Sequence, residues 1–371
     1  MLESEEVSVS DLHRDICEAE RRIREAIVRT RLVESPQFSA EYDCSLHLKM
    51  EQEQRTGSFK LRGAHNKLAL IAGREETKPA SIVTASTGNH GLACLDAMKQ
   101  HGVAGKIVVP ENIAEVKREK LLSLGADLVY HGTDCELTEL EGRRLARENG
   151  NAMEFISPYN DLEVIAGQGT LGVEILEQLP SLEYLFISVG GGGLISGVAA
   201  YVKTVKPEVV VVGCQPAASP VMSESVKAGQ IVDLLSSDTL SDGTAGGVER
   251  GAVTFNLCRD LVDLWQVVGE DDIQVGIFIF LLRNRKHLTF PHSVGGQVPS
   301  QPSRGGGGGL GRAGPGSRQE DEGHHQGQDG LRPSLRGKHR PRQAPESRLL
   351  VLGIKINQNF RRELISTKSS V

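Results

Sequence analysis

The chain has 371 residues, of which 39% are hydrophobic and 24% are charged, and its formal net charge at pH 7 is -6. This composition fits a globular protein of one large or two medium domains, and it gives no electrostatic reason to expect a nucleic acid or an anionic membrane as partner. We therefore expect the ligand to be a small molecule.

The cysteines and the amino-terminal segment bear on location. The 6 cysteines are far apart and form no CxxC pair, so the sequence indicates neither a zinc cluster nor a disulfide framework. The opening stretch MLESEEVSVSDLHRDICEAERRI is acid-rich and lacks the apolar core of a secretory signal, and no apolar run in the chain is long enough to span a membrane. These features predict a cytoplasmic protein.

A lysine early in the chain has apolar neighbours. In the stretch RTGSFKLRGAHNK, residues 55–67, Lys60 lies between Phe59 and Leu61. Loss of hydration lowers the pKa of a lysine, and its neutral amine can then attack a carbonyl carbon. A lone SFK is more often an ordinary solvated lysine on a helix, so on these residues alone both interpretations stay open.

Strands and helices alternate over most of the chain from residue 81 onward. The patterns predict strands at SIVTAS, GKIVVP, ADLVYHG and MEFIS, with helices at GLACLDAMKQHG, EVKREKLLSLG and ELTELEGRRLAREN between them. The same order returns with the strands EYLFISV and EVVVVGCQP and the helix ISGVAAYVKTV. The alternation predicts an α/β protein with two mainly parallel sheets covered by helices. Such sheets bind ligands beyond the carboxyl ends of their strands.

Two loops at the carboxyl ends of predicted strands carry candidate ligand-binding groups. TASTGNHG, residues 84–91, offers hydroxyl, amide and imidazole groups where a helix begins, and backbone N–H groups at a helix start can hold a carboxylate. SVGGGGLISG, residues 188–197, places four glycines between a strand and a helix, where bare N–H groups suit a phosphate. Its spacing matches neither GxGxxG nor the nucleotide P-loop, and tight backbone packing is the alternative explanation.

Taken together, these motifs resemble the fold-type II pyridoxal-phosphate enzymes, in particular the threonine/serine dehydratase and serine racemase group. The likeness covers about residues 15–285 and depends on SFKLRGA, STGNHG and GGGGL, with IAGQGTLGVEIL and DGTAGG as further similar stretches. The resemblance implies a tryptophan synthase beta-like fold, pyridoxal 5'-phosphate as the cofactor and a homodimer.

The resemblance also implies a role for each motif. Lys60 would form the Schiff base with the cofactor and take the Cα proton, Phe59 would shield the ring, and Asn89 would bind the ring oxygen. Thr87 stands where serine racemase has its second acid–base group. The residues implied to contact the phosphate or another part of the cofactor are Gly190, Gly191, Gly192, Gly193, Leu194 and Gly243. Those implied to bind the substrate carboxylate are Ser86, Thr87, Gly88, Asn89 and His90.

The implied activity is removal of ammonia from L-serine or L-threonine by β-elimination, which yields a 2-oxo acid. Serine racemase and 3-hydroxyaspartate dehydratase are the alternatives, and Thr87 keeps the hydroxyl that racemisation needs. Enzymes of β-replacement share the fold and rank third. No metal site is expected, because Gln215 stands where metal-binding relatives have a glutamate, and hard cations need anionic oxygen ligands.

The likeness implies a large cofactor-binding domain from residues 1–79 and 157–290 and a small substrate-loop domain from residues 80–156. Residues 291–371 depart from the group, whose last strand ends in SGGN or CGGN and supplies a partner for the ring nitrogen. Within this tail, residues 294–345 are rich in glycine, proline, arginine and glutamine and have few apolar residues, which predicts disorder. Residues 325–340, read one base later with permitted codons, can give IKGKMACVLLCGGNI, so a frame-shifted translation is the second interpretation. A non-catalytic cofactor-binding remnant is the corresponding alternative function.

Overall fold

The computed structural model describes residues 7–75, 79–283 and 348–352, and the predicted alternation of strands and helices is present in them. This confirms the α/β class. The helices are α1 (Val9–Ile23), α2 (Pro36–Tyr42), α3 (Lys60–Ala72), α4 (Asn89–His101), α5 (Glu115–Ser123), α6 (Cys135–Asn149), α7 (Leu162–Gln178), α8 (Gly193–Val205), α9 (Val221–Ala228), α10 (Val253–Leu261) and α11 (Glu270–Arg283). The strands are β1 (Leu32–Glu34), β2 (Ser45–Lys49), β3 (Ser81–Ala85), β4 (Ala104–Val109), β5 (Leu128–Tyr130), β6 (Met153–Phe155), β7 (Tyr184–Ser188), β8 (Val210–Pro216), β9 (Leu264–Val268) and β10 (Arg348–Leu352).

These strands form two sheets. One has six strands in the order β1-β2-β10-β7-β8-β9, and the other has four in the order β5-β4-β3-β6. The described pairings are parallel except that of β1 with β2, which confirms the prediction of mainly parallel sheets. Both sheets belong to one compact unit, which contains all the described residues. The four-stranded sheet draws only on residues 80–156, and the division into two domains stays a prediction.

Helices α7 and α8 cross at close range on the six-stranded sheet. A Cβ atom on Gly197 of α8 would overlap the backbone of Ile165 and Gly169 in α7, so only glycine allows this approach. Both helices also bury apolar side chains against the strands, as with Leu171 and Val198. The close crossing fixes α8, and with it the glycine-rich loop at its amino-terminal end.

The strand β10 comes from the carboxyl-terminal tail. It lies between β2 and β7 and runs parallel to both, with Leu350 opposite His47 on one side and Leu185 on the other. The sequence pattern did not predict this strand, because its apolar stretch is short and lies between polar segments. Leu352 pairs with Ile187, so β10 ends beside the strand that leads into the glycine-rich loop. The segment 325–340, on which the frame-shift interpretation depends, lies outside the described residues.

Candidate functional site

Lys60 is the first residue of α3, and its side-chain nitrogen donates a hydrogen bond to the carbonyl oxygen of Pro158 at 2.7 Å. The ring centroid of Phe59 lies 5.4 Å from the same nitrogen. Loss of hydration lowers the pKa of Lys60 from 10.5 to about 8, and the nearby Cys94 thiol opposes this change. The neutral share of the amine near pH 7 to 8 is therefore far larger than for an ordinary lysine, and the neutral form is the nucleophile.

A buried ionic network holds α3 in place. Arg62, two residues after Lys60, pairs with Glu51 and with Glu174, each at 2.8 Å, and the side chain of Lys49 lies 2.6 Å from Glu174. Two cations and two carboxylates balance one another, so none of the four charges is buried without a partner. The network anchors the helix that presents Lys60.

The four glycines of the loop are closely packed by protein. Gly192 has a φ of +88°, a left-handed conformation that glycine adopts readily. A Cβ on Gly191 would overlap the ring of Tyr159, and a Cβ on Gly193 would lie 2.9 Å from the Tyr159 backbone. The lack of side chains therefore has an explanation in tight packing, which was the alternative to ligand approach.

The backbone N–H groups of the same loop are available for a ligand. Within the described part of the chain, the N–H groups of residues 190–194 donate to no acceptor, and they lie at the positive amino-terminal end of α8. The loop carbonyls are engaged instead, since Thr254 Oγ1 donates to Gly191 O at 2.7 Å and Ser196 N donates to Gly192 O at 2.9 Å. This arrangement fits a phosphate group.

The loop after β3 lies at the carboxyl end of that strand, as predicted. Ser86 Oγ accepts a hydrogen bond from the N–H of Gly88 at 3.2 Å, which turns the chain into α4. Ser86, Thr87 and Gly88 are half-buried, whereas Asn89, the first residue of α4, is exposed. The loop thus presents a helix start and its polar side chains at the edge of the four-stranded sheet.

Comparison with known proteins decides the family. Residues 23–288 match the family described as pyridoxal-phosphate dependent enzyme. The chain belongs to this family. Its cofactor is pyridoxal 5'-phosphate, and the described residues fit that molecule at two points. Lys60 has an amine that can attack an aldehyde, and residues 190–194 have free N–H groups of the kind that can bind a phosphate.

Individual relatives narrow the resemblance within the family. The L-threonine ammonia-lyase of Thermotoga maritima is 39% identical over 273 residues, which are 73% of this chain and 66% of the relative. The catabolic L-threonine dehydratase of Escherichia coli is 36% identical over 280 residues, 73% of this chain and 81% of the relative. Among solved structures, maize serine racemase gives a TM-score of 0.68 at 32% identity, covering 72% of this chain and 80% of that one.

Two further residues implied to contact pyridoxal phosphate lie in different settings. The side chain of Leu194 is buried in the core with residues of β7 and α8, and its backbone N–H has no acceptor among the described residues. Gly243 is exposed, with nothing within 4 Å of where a Cβ would stand. Its neighbour Thr244 comes within 3.2 Å of the Cβ position of Gly190, so this segment lies beside the glycine-rich loop.

His90 is turned into the protein. Its Nε2 atom lies 3.4 Å from the carbonyl oxygen of Ile156 and 3.5 Å from the sulfur of Cys94. Burial, reinforced by the charge of Lys60, lowers the pKa of His90 to about 3, so the imidazole is neutral at physiological pH. A neutral buried ring offers no charge to a carboxylate, and the predicted role of His90 in substrate binding therefore depends on its backbone.

Residues 157–161, SPYND, meet the site at several points that the sequence analysis did not predict. They follow the predicted strand MEFIS at its carboxyl end, which is where ligands of parallel sheets bind, and that position was the available signal. The contacts are Pro158 O with Lys60 Nζ, the Tyr159 ring with Gly191, Asn160 Oδ1 with Val253 N at 2.9 Å, and Asp161 Oδ1 with Glu163 N at 2.9 Å.

Gln215, which bore on the metal prediction, is buried and used in packing. Its amide nitrogen donates to Val189 O at 3.2 Å, and its amide oxygen accepts from Ser223 N at 2.7 Å. In the described ranges, no group of three or more His, Cys, Asp or Glu side chains is placed to hold a metal ion. No described helix is both long and apolar enough to cross a membrane.

Proposed function

We propose that this pyridoxal-phosphate enzyme is an ammonia-lyase that converts L-threonine, and L-serine, to a 2-oxo acid and ammonia. The observation that carries the proposal is the half-buried amine of Lys60, with its pKa lowered to about 8, which contacts Pro158 while the next residue, Tyr159, contacts the loop of free N–H groups at residues 190–194. The T. maritima and E. coli relatives, which act on threonine by name, support this choice of substrate class.

When bound, the cofactor withdraws electrons from the substrate Cα and so makes its proton removable. Lys60 would hold the cofactor until the substrate amine replaces it, and its released amine, kept neutral by its low pKa, would then accept that proton. Residues 190–194 would hold the phosphate, and Phe59 would cover the ring from beside the amine. Ser86, Thr87, Gly88 and Asn89 would orient the substrate carboxylate at the start of α4.

Racemisation is the second candidate activity. It requires an acid–base group on the ring face opposite Lys60, and the resemblance implies the hydroxyl of Thr87, in the loop after β3, for that role. The likeness to maize serine racemase favours testing it. The added methyl group of a threonine crowds that face, so we propose elimination as the main reaction. Dehydration of 3-hydroxyaspartate by the same residues is a further substrate alternative.

The test begins with the purified protein incubated with pyridoxal phosphate. Borohydride reduction and peptide mapping should give a pyridoxyl adduct on Lys60, and L-threonine should release 2-oxobutanoate. Lys60→Ala should abolish both, whereas Lys99→Ala, at an exposed position of α4, should change neither. Turnover that survives in Lys60→Ala would overturn the mechanism.

An adduct on Lys60 without release of 2-oxobutanoate or pyruvate would favour the cofactor-binding remnant. Chiral analysis of serine incubated with the protein separates racemase from lyase. The homodimer and the cytoplasmic location are also proposals. Light scattering coupled to size exclusion tests the first, and fractionation of cells that express the full chain tests the second.

A further inference from the structure

An ion pair joins the four-stranded sheet to the segment that precedes α10. Arg143 lies on α6, and its guanidinium is 2.6 Å from a carboxylate oxygen of Glu249. Two contacts within its own part of the chain orient this arginine: Glu139 accepts from it at 2.8 Å, and the ring centroid of Phe155 lies 4.5 Å from its guanidinium carbon. Arg143 is therefore held toward Glu249 rather than free to sample solvent.

Glu249 is tied on its other side to Tyr159. The backbone N–H of Glu249 donates to the Tyr159 hydroxyl at 3.0 Å, and the ring of Tyr159 lies directly against Gly191. Asn160 makes a parallel link, since its side-chain oxygen accepts from Val253 N at 2.9 Å. A continuous chain of contacts thus runs from α6 through Glu249 and Tyr159 to the glycine-rich loop.

The charges in this chain of contacts are costly to separate. The carboxylate of Glu249 is partly buried, and its Oε1 atom is buried with no hydrogen-bond partner in the described part of the chain. Burial raises the pKa of Glu249, and the charge of Arg143 opposes that change. Removing Arg143 would leave the carboxylate without its cation, and the segment holding Glu249 would shift to rehydrate it.

We propose that Arg143, Glu249 and Tyr159 are positioning residues that form a latch, which holds the glycine-rich loop in its phosphate-binding shape when Arg143 of α6 is paired with Glu249. The inference rests on the proposed function only in taking the ligand of the loop to be a phosphate. The four-stranded sheet carries the loop after β3. Through the latch, the position of this sheet affects how tightly the glycine-rich loop binds the cofactor phosphate.

A double-mutant cycle tests the latch by the dissociation constant for pyridoxal phosphate, measured from absorbance and fluorescence of the protein stripped of cofactor. Arg143→Met and Glu249→Gln should each weaken binding about tenfold, and the double variant should be no weaker than either, as for directly coupled residues. Arg144→Met is the matched control, because Arg144 pairs only with Glu141 and Glu148 of its own helix in the described residues. It should bind like the parent.

Tyr159→Phe is the milder second variant, since it keeps the ring against Gly191 and removes only the hydroxyl. It should weaken binding several-fold and, in protein without cofactor, speed hydrogen exchange at the amide of Ser196, which donates to Gly192 O in the glycine-rich loop. Parent-like binding and exchange in Arg143→Met and Tyr159→Phe, or additive losses in the cycle, would overturn the latch. Because both measurements need no turnover, failure to release ammonia from threonine would refute the proposed activity and leave the latch standing.

Discussion

The side-chain nitrogen of Lys60 lies 2.7 Å from the carbonyl oxygen of Pro158, a backbone acceptor that carries no charge. A carboxylate in that place would favour the ammonium form, whereas a carbonyl can hold the nitrogen without restoring its usual pKa. The hydrogen bond to Pro158 therefore orients the Lys60 nitrogen, while the lowered pKa keeps the amine reactive.

The rate of covalent attachment of pyridoxal phosphate should depend on pH through Lys60. The neutral amine is the nucleophile, so below pH 8 the rate should rise with pH, and it should level off above the Lys60 pKa of about 8. Stopped-flow absorbance of the apoprotein mixed with cofactor measures this directly. Free Nα-acetyl-lysine, as the reference amine, should keep rising to above pH 10. A protein profile that follows the reference would contradict the lowered pKa.

Substitutions in the glycine-rich loop should weaken cofactor binding. Gly192→Ala forces a side chain into a left-handed backbone, which costs roughly 1 to 2 kcal/mol, or about tenfold in affinity if the loop changes shape to relieve it. Gly191→Ala should be at least as harmful, because its Cβ would overlap the Tyr159 ring. Equilibrium titration with pyridoxal phosphate gives the affinities. Gly73→Ala is the control, since a Cβ there meets only ordinary contacts at 3.5 Å or more.

The sheets and the two loops could be predicted because their signals are local. β3 and β7 are apolar runs that end at polar or glycine-rich residues, and parallel sheets bind ligands at that end of a strand. The glycine-rich loop was predicted as a phosphate site from the same logic. The sequence pattern alone could not show that Tyr159 leaves no room for side chains at Gly191 and Gly193, nor that the backbone N–H groups of the loop are free within the described residues.

Other features depend on partners far apart in the chain and leave no local pattern. Arg62 meets Glu174 across 112 positions, and Arg143 meets Glu249 across 106. Nothing in the residues around each charge indicates its partner, because burial arises only once the helices have packed. β10 was missed for a related reason, since its few apolar residues are surrounded by a segment with the composition of a disordered tail.

Loss of Arg62 should destabilise the whole fold. Arg62→Met leaves Glu51 and Glu174 with reduced compensation inside the protein, and breaking a buried pair on one side typically costs about 3 to 5 kcal/mol. Urea unfolding followed by circular dichroism measures the free energy of unfolding. Arg24→Met is the matched control: Arg24 is exposed, pairs with Glu20 one helical turn away, and should change stability by less than about 1 kcal/mol. Equal effects of the two variants would contradict the importance of the buried network.

The position of β10 in the middle of the six-stranded sheet predicts that the tail is needed for folding. Leu350 pairs with β2 on one side and β7 on the other, so Leu350→Pro removes a ladder N–H and forces a ring between two parallel neighbours. The loss should be about 3 kcal/mol or more, since β2 and β7 would also be left with unpaired edges. Urea unfolding measures it, with Leu350→Ile as the control because isoleucine favours strands. A proline variant as stable as the isoleucine variant would show that β10 contributes nothing to the sheet, and with it that the tail is dispensable for the fold.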